Sequence, residues 1–269
     1  MPISNSAAVS HISSECSPRF HLFLTTLACL TAPLGFLAGL RHSAEGVFFE
    51  KGLRAATLEE VADKAEVSKG TIYLYFASKE DIYCALITRG LRLLLETFRE
   101  TKPEEVGPAG ALKRLGSAYL EFSRRQSYLF RMLSAAENPS VTENVSPAIF
   151  SELEDASNNV LGYVATFVQK GIDSGTFRSD VTAHEAVVLF WVSLSGILNL
   201  RQRSSTFKGT RALKADSIFA SVDFDSLYSK CQAYLLDLLV SRKTGSAEWR
   251  SPARKPKGAV KQARVVRKR

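Results

Sequence analysis

The chain is poor in the residues that build disulfide frameworks, metal sites and catalytic centres. Its 269 residues include only four cysteines and four histidines. Cys16, Cys29, Cys84 and Cys231 are scattered, with no Cys-x-x-Cys pair and no histidine at ligand spacing. That spacing excludes a disulfide-stapled scaffold or zinc ribbon and points to a reducing cytoplasm. His11, His21, His42 and His184 form no cluster. Gly-x-Gly-x-x-Gly, Walker and Gly-x-Ser-x-Gly motifs are absent, which removes the common phosphate cradles and the nucleophile elbow. No nucleophile–base or metal-ligand arrangement emerges, so neither enzymatic activity nor a metal or cofactor is expected.

Charge of one sign is also missing from most of the chain. The net charge is +8. From Arg242 to Arg269 there are eleven Lys/Arg and one acid, Glu248, a net of +10, so residues 1–241 sum to 8 − 10 = −2. The basic character therefore sits in residues 243–269. Pro252, Pro256, Gly258 and many like charges there predict a tail that cannot bury a core.

One long apolar run is present. Phe20 to Leu40 contains no acid, lysine or arginine and is long enough to cross a bilayer. Pro33, Gly35, Gly39 and three threonines weigh against a spanning helix. The run reads either as an extension of uncertain order, residues 1–40, or as a membrane tether.

Beyond it the spacing predicts helices throughout. Gly52 reads as a helix stop. Thr57-Leu58-Glu59-Glu60 is a capping box, in which the Thr57 hydroxyl meets the Glu60 amide and the Glu60 carboxylate returns to the Thr57 amide. Val67-Ser68-Lys69-Gly70 turns the chain into a second helix expected to reach Phe76. Ser78 caps a third, running to about Arg99, with Glu80 and Asp81 in its first turn. Lys102 to Gly110 is a break. Further helices are expected at about 111–125, 126–136, 147–174, 182–202 and 224–242. No segment alternates with period two for long enough to predict a strand.

Two short helices joined by a tight turn fit the motif that places its second helix in the major groove. Ile72 and Phe76, with Leu74 nearby, would seat on the core. Lys69, Thr71, Tyr73 and Tyr75 would be left for DNA, with hydroxyls and a lysine suited to phosphate oxygens and rings to thymine methyls. Gly70 lets the backbone approach the duplex, Thr57 sits at a helix N-terminus, and Lys79 can reach a flanking phosphate. Tyr73 and Tyr75 read equally as half-buried packing residues, Thr57 and Ser78 as caps that need no DNA, and Lys69 and Lys79 as solvated charges.

The run Gly52 to Asp81, GLRAATLEEVADKAEVSKGTIYLYFASKED, resembles the TetR family of transcriptional repressors. Phe48-Phe49-Glu50-Lys51-Gly52 matches its Phe-x-Glu-x-Gly element, Val67-Ser68-Lys69-Gly70-Thr71-Ile72-Tyr73 continues it, and Tyr75-Phe76-Ala77-Ser78-Lys79-Glu80 completes it. The resemblance implies an all-α homodimer on a pseudo-palindromic operator. It implies a helix-turn-helix domain over 41–101 and a larger helical domain over 109–242 that dimerises and takes a small effector. It places Thr57, Ser68, Lys69, Thr71, Tyr73, Tyr75 and Lys79 at positions that usually face DNA, with Phe76 in the core. One departure is that the basic residues usual ahead of the first helix are missing. Residues 41–102 carry ten basic and ten acidic side chains, so phosphate affinity must come from a few placed groups.

In the larger half, the last two long helices would pair with their mates across the dimer. The spacing offers Ala186, Val187, Phe190, Leu194 and Ile197 on one helix. On the other it offers Leu227, Cys231, Tyr234, Leu235 and Leu238. Both sets also read as ordinary core. Phe98, Tyr119, Phe122, Phe130, Met132, Tyr163, Phe167 and Trp191 are candidates to line an apolar effector pocket, or plain core at helical spacing. The helix from Ser78 to Arg99 is the covalent lever between head and body. The competing readings are a membrane-tethered regulator anchored through residues 20–40 and a DNA-organising protein acting through its basic tail.

Overall fold

The computed structural model describes residues 34–135, 139–210, 219 and 221–240. Most of the apolar run, residues 20–33, and the basic tail 243–269 lie outside the described residues. Among the described residues every regular element is a helix: α1 Leu34–Ala55, α2 Leu58–Lys64, α3 Lys69–Tyr73, α4 Lys79–Glu100, α5 Pro108–Arg125, α6 Ser127–Ala135, α7 Pro139–Thr142, α8 Pro147–Asp173, α9 Ala183–Thr210 and α10 Phe224–Leu239. The all-α class is as expected, and most bounds lie within a few residues of the sequence reading. α7, a single turn, had no sequence signal of its own.

Local chemistry sets the breaks. Gly52 takes φ 73°, a left-handed conformation open to glycine at little cost, and turns the end of α1 toward α2. The capping box at Thr57 forms with both of its hydrogen bonds, Glu60 N–H to Thr57 Oγ1 at 3.3 Å and Thr57 N–H to Glu60 Oε2 at 3.2 Å. Ser68 and Ser78 cap α3 and α4 through the amides of Thr71 and Asp81. Pro108 and Pro147 sit in the first turns of α5 and α8, where a missing N–H costs nothing.

The head packs α1, α2 and α3 around Leu40, Ala44, Phe48, Val61, Ile72 and Phe76, all buried. The last residues of the apolar run thus serve this core, with Leu37 and Leu40 turned inward on α1. α4 passes from head to body and lies along α8. α5 and α10 approach closely at Gly116. Tyr228 Oη donates to Gly116 O at 2.7 Å, and buried Gln232 donates to Leu112 O and Lys113 O at 3.1 and 3.0 Å. A Cβ on Gly116 would lie 2.0 Å from Gln232 Nε2, so only glycine keeps this contact.

α9 is apolar enough over Ala183–Ser204 to meet the length and hydropathy expected of a membrane span. Its packing accounts for that composition, because the helix carries two apolar faces. Ala186, Val187, Phe190, Leu194 and Leu198 are buried in the protomer, whereas Val188, Leu189 and Val192 face outward.

Candidate nucleic-acid interface

α3 is five residues long, about one and a half turns. It ends at Tyr73 rather than Phe76, and Leu74 forms its C-cap. The early end changes the expected orientation: Leu74 does not seat on the core but stands 59% exposed, beside Tyr73 at 42%. Ile72 and Phe76 are buried as expected and anchor the helix from beneath. Lys69 and Gly70 are exposed on the outer face, and Thr71 is half-buried. The Thr71 hydroxyl shares a 2.8 Å hydrogen bond with Ser68 Oγ.

The remaining sequence candidates fall into different surroundings. Lys69 pairs with Glu59 of α2 and lies 5.7 Å from the centroid of Tyr73. That pairing raises the Lys69 pKa and lowers that of Glu59 through a charge-assisted hydrogen bond. Tyr75 is half-buried, its ring 5.4 Å from Phe36. Thr57 is exposed at the N-terminus of α2, with its hydroxyl engaged in the capping box. Lys79 turns inward: its ammonium donates to Arg54 O at 3.1 Å, in the last turn of α1, and to Ala56 O at 3.0 Å, just past its end. Lys51–Glu60 and Lys64–Glu50 complete a head whose flanking charges are largely neutralised by one another.

The spacing of residues gave no hint of how head and body are joined across the start of α4. Asp81 is 1% exposed. Its carboxylate accepts Ala77 N–H at 3.0 Å on the head side and Ser146 N–H at 2.7 Å from the start of α8. Ser78 Oγ donates to Asn144 O at 3.0 Å, a second bond across the same seam. Nearby, Arg89 of α4 pairs with Glu45 of α1 at 3.1 Å, and the Arg131 guanidinium of α6 lies 4.8 Å from the ring of Phe49. Head and body are therefore clasped as well as covalently linked.

Two adjoining cavities lie in the body beside Trp191. A small one, about 50 Å³, is lined by Phe98, Tyr119, Leu115, Val187, Phe190 and Trp191 among others, with no charged residue among the described lining residues. A cleft of about 530 Å³ lies next to it, between α4, α6, α8 and α9, and both share Val160, Leu161 and Trp191 as walls. Of the aromatic residues expected to line a pocket, Phe98, Tyr119 and Trp191 do so. Phe122, Phe130 and Met132 are buried core, with the Phe130 ring 5.6 Å from Tyr119. Tyr163 and Phe167 form an edge-on pair at 5.3 Å on α8 and line neither cavity. Cys84 of α4 is buried and its thiol is pushed up to about 11, which makes it an inert packing residue.

A short helix anchored by Ile72 and Phe76, presented by a capped partner helix and carried on a larger all-helical body, defines a helix-turn-helix DNA-binding regulator. Residues 40–86 match the family model described as bacterial regulatory proteins, tetR family. The head, residues 40–86, is that of the TetR family. It is 29% identical over 133 residues to the transcriptional activator FasR of Mycolicibacterium smegmatis, covering 49% of this chain and 58% of that one. It is 28% identical over 145 residues to the transcriptional repressor KstR2 of Mycobacterium tuberculosis, covering 53% and 69%. The chain thus spans little more than half the length of the first of these relatives. The fold is similar to that of FadR from Bacillus subtilis in complex with stearoyl-CoA, with a TM-score of 0.56 and 17% identity over 75% of this chain and 98% of that one.

Proposed function

We propose that this chain is a homodimeric repressor that binds a pseudo-palindromic operator and is released by a small-molecule effector held in the body. The observation that carries the DNA-binding part is the outward face of α3, where Lys69, Gly70, Thr71 and Tyr73 stand clear of the core with exposed Leu74 beside them. Lys69 and the hydroxyls of Ser68, Thr71 and Thr57 take phosphate oxygens, and Tyr73 and Leu74 cover base edges and thymine methyls. Tyr75 contributes its edge. Lys79 acts at one remove, by holding the end of α1. Lys69 must leave Glu59 to reach a phosphate, so DNA binding exchanges one ion pair for another and its net electrostatic gain is small.

Tyr73→Ala is expected to weaken specific operator binding by roughly 5- to 100-fold, the range for losing one base contact, while leaving the fold intact because the ring is half in solvent. Fluorescence anisotropy on operator and on scrambled DNA checks this. Equal losses on both would mean that Tyr73 serves the backbone and not the bases.

Dimerisation is assigned to the outward stripes of α9 and α10, helices that pack on each other. Val188, Leu189 and Val192 on one, and Leu227, Tyr234 and Leu238 on the other, leave apolar surface uncovered in the protomer. The buried positions Ala186, Val187, Phe190, Leu194 and Leu235, which share the same helical spacing, belong to the protomer's own core. Effector release is assigned to the cleft beside Trp191, because two of its lining residues, Thr142 and Phe150, flank the Asn144–Ser146 segment that the Asp81 clasp holds. An effector that widens the cleft shifts the head through that clasp and through α4, biasing the dimer between two spacings of its heads.

A further inference from the structure

The cleft has a chemistry of its own, and it deepens the effector reading above. Its walls are apolar on α4, α6 and α9, where Ile87, Leu91, Leu133 and Trp191 contribute. Its polar residues are Thr142 and a row on α8, Glu154, Ser157 and Asn158, spaced so that all three fall on one helix face. Among the described residues Glu154 is the one charged residue in the lining, and no lysine, arginine or histidine contributes to either cavity. Phe150, one turn before Glu154 on α8, and Trp191 add two aromatic rings to the same walls. A lone carboxylate with aromatic neighbours attracts a cation and repels an anion.

The shape limits the ligand further. The small cavity beyond Trp191 has room for about one or two methylene-sized groups and no polar partner to offer them. The larger cleft is open to solvent on the Glu154 side, since Glu154 and Asn158 are exposed. A ligand therefore enters with its apolar end toward Trp191 and leaves its polar end beside α8.

We propose that the cleft takes a lipophilic cation, an elongated apolar body ending in an ammonium group, with Glu154 as the residue that selects its charge. This rests on the effector reading but is tested separately from it. The absence of any basic side chain among the described lining residues disfavours the phosphates and carboxylates of acyl-coenzyme A or free fatty acids, although the fold is shared with a regulator that binds stearoyl-CoA.

The test uses the full chain with Trp249→Phe, which leaves Trp191 as the single indole. Its fluorescence is titrated with dodecyltrimethylammonium, dodecanoate and dodecanoyl-coenzyme A, three probes of equal chain length, all below micelle formation. The expected result is saturable quenching, with the cation bound roughly five- to ten-fold more tightly than either anion. Glu154→Gln should close that gap and keep the fold, because the side chain is in solvent. Equal or tighter binding of an anion, a gap that survives Glu154→Gln, or no saturable quenching by any probe would each overturn the proposal. A parallel gel shift on operator DNA separates the two ideas. Tight cation binding that leaves operator affinity unchanged would sink the effector reading while the ligand class stands.

Discussion

Asp81→Ala should destabilise the protein by about 2–4 kcal/mol, since removing the carboxylate strands two backbone donors at once. Ala77 N–H and Ser146 N–H both end on Asp81, at 3.0 and 2.7 Å, in a seam where the side chain is 1% exposed. Asp81 also stands in the first turn of α4, where a carboxylate is favoured by the partial positive charge of the helix start. For a chain of this size the loss corresponds to a fall in Tm of about 2–4 °C per kcal/mol. Asp81→Asn keeps one acceptor oxygen but turns an NH2 toward the second amide, so it should fall between wild type and alanine.

The clasp also gives a signature that simple destabilisation lacks. Amide exchange at Ser146 should accelerate in Asp81→Ala out of proportion to exchange in the middle of α8, because only the start of α8 loses its partner. Effector-induced loss of operator affinity should shrink in the same variant. Unchanged coupling would assign transmission to α4 alone.

Val192→Asp should convert the dimer to a monomer and lower operator affinity by at least about 100-fold, the loss expected when two linked half-site contacts become one. Val192 is 62% exposed in the protomer, so the substitution costs the isolated fold little. In the proposed dimer the same position would lie at the meeting of α9 with its mate, where an isologous interface would place two carboxylates close together in an apolar setting. Burying an unpaired charge costs several kcal/mol per ion, and two-fold symmetry doubles it. A monomer can engage one half-site only, which forfeits the gain in effective concentration that joins the two heads. Analytical ultracentrifugation reads the mass and circular dichroism the helicity. A dimer of wild-type stability would move the interface off α9. Tyr234→Asp on α10, at 68% exposure, is the independent second probe.

The features of the fold legible in the sequence are those fixed by neighbours in the chain. Thr57 and Glu60 are three residues apart, and their reciprocal bonds follow from that spacing. Ser78 declares a helix start, and Gly52 the kink near the end of α1, by chemistry that needs no tertiary context. The illegible parts are those in which distant segments meet. Asp81 and Ser146 are 65 residues apart, and nothing in either local sequence announces the bond.

The proposed dimer face was hidden for a different reason. α9 is apolar on two sides, so its periodicity is weak, and the series from Ala186 to Leu194 matched a helical stripe as well as Val188, Leu189 and Val192 did. Burial alone separates them. Leu74 went the other way from expectation because α3 closes after five residues, which moves the following position from the inner face to the cap. The cavity walls come from several helices, so only some of the aromatic residues that helical spacing offered could reach them.

We propose that α3 reads a specific two-fold operator. The most direct measurement is a DNase footprint of the full chain on its own gene and the neighbouring intergenic DNA, across a salt series from about 50 to 200 mM. Protection of one palindromic site, with half-sites about one helical turn apart and persisting at the higher salt, is the predicted result. Protection spread evenly along the DNA and vanishing with salt would contradict it, leaving only non-specific charge contacts.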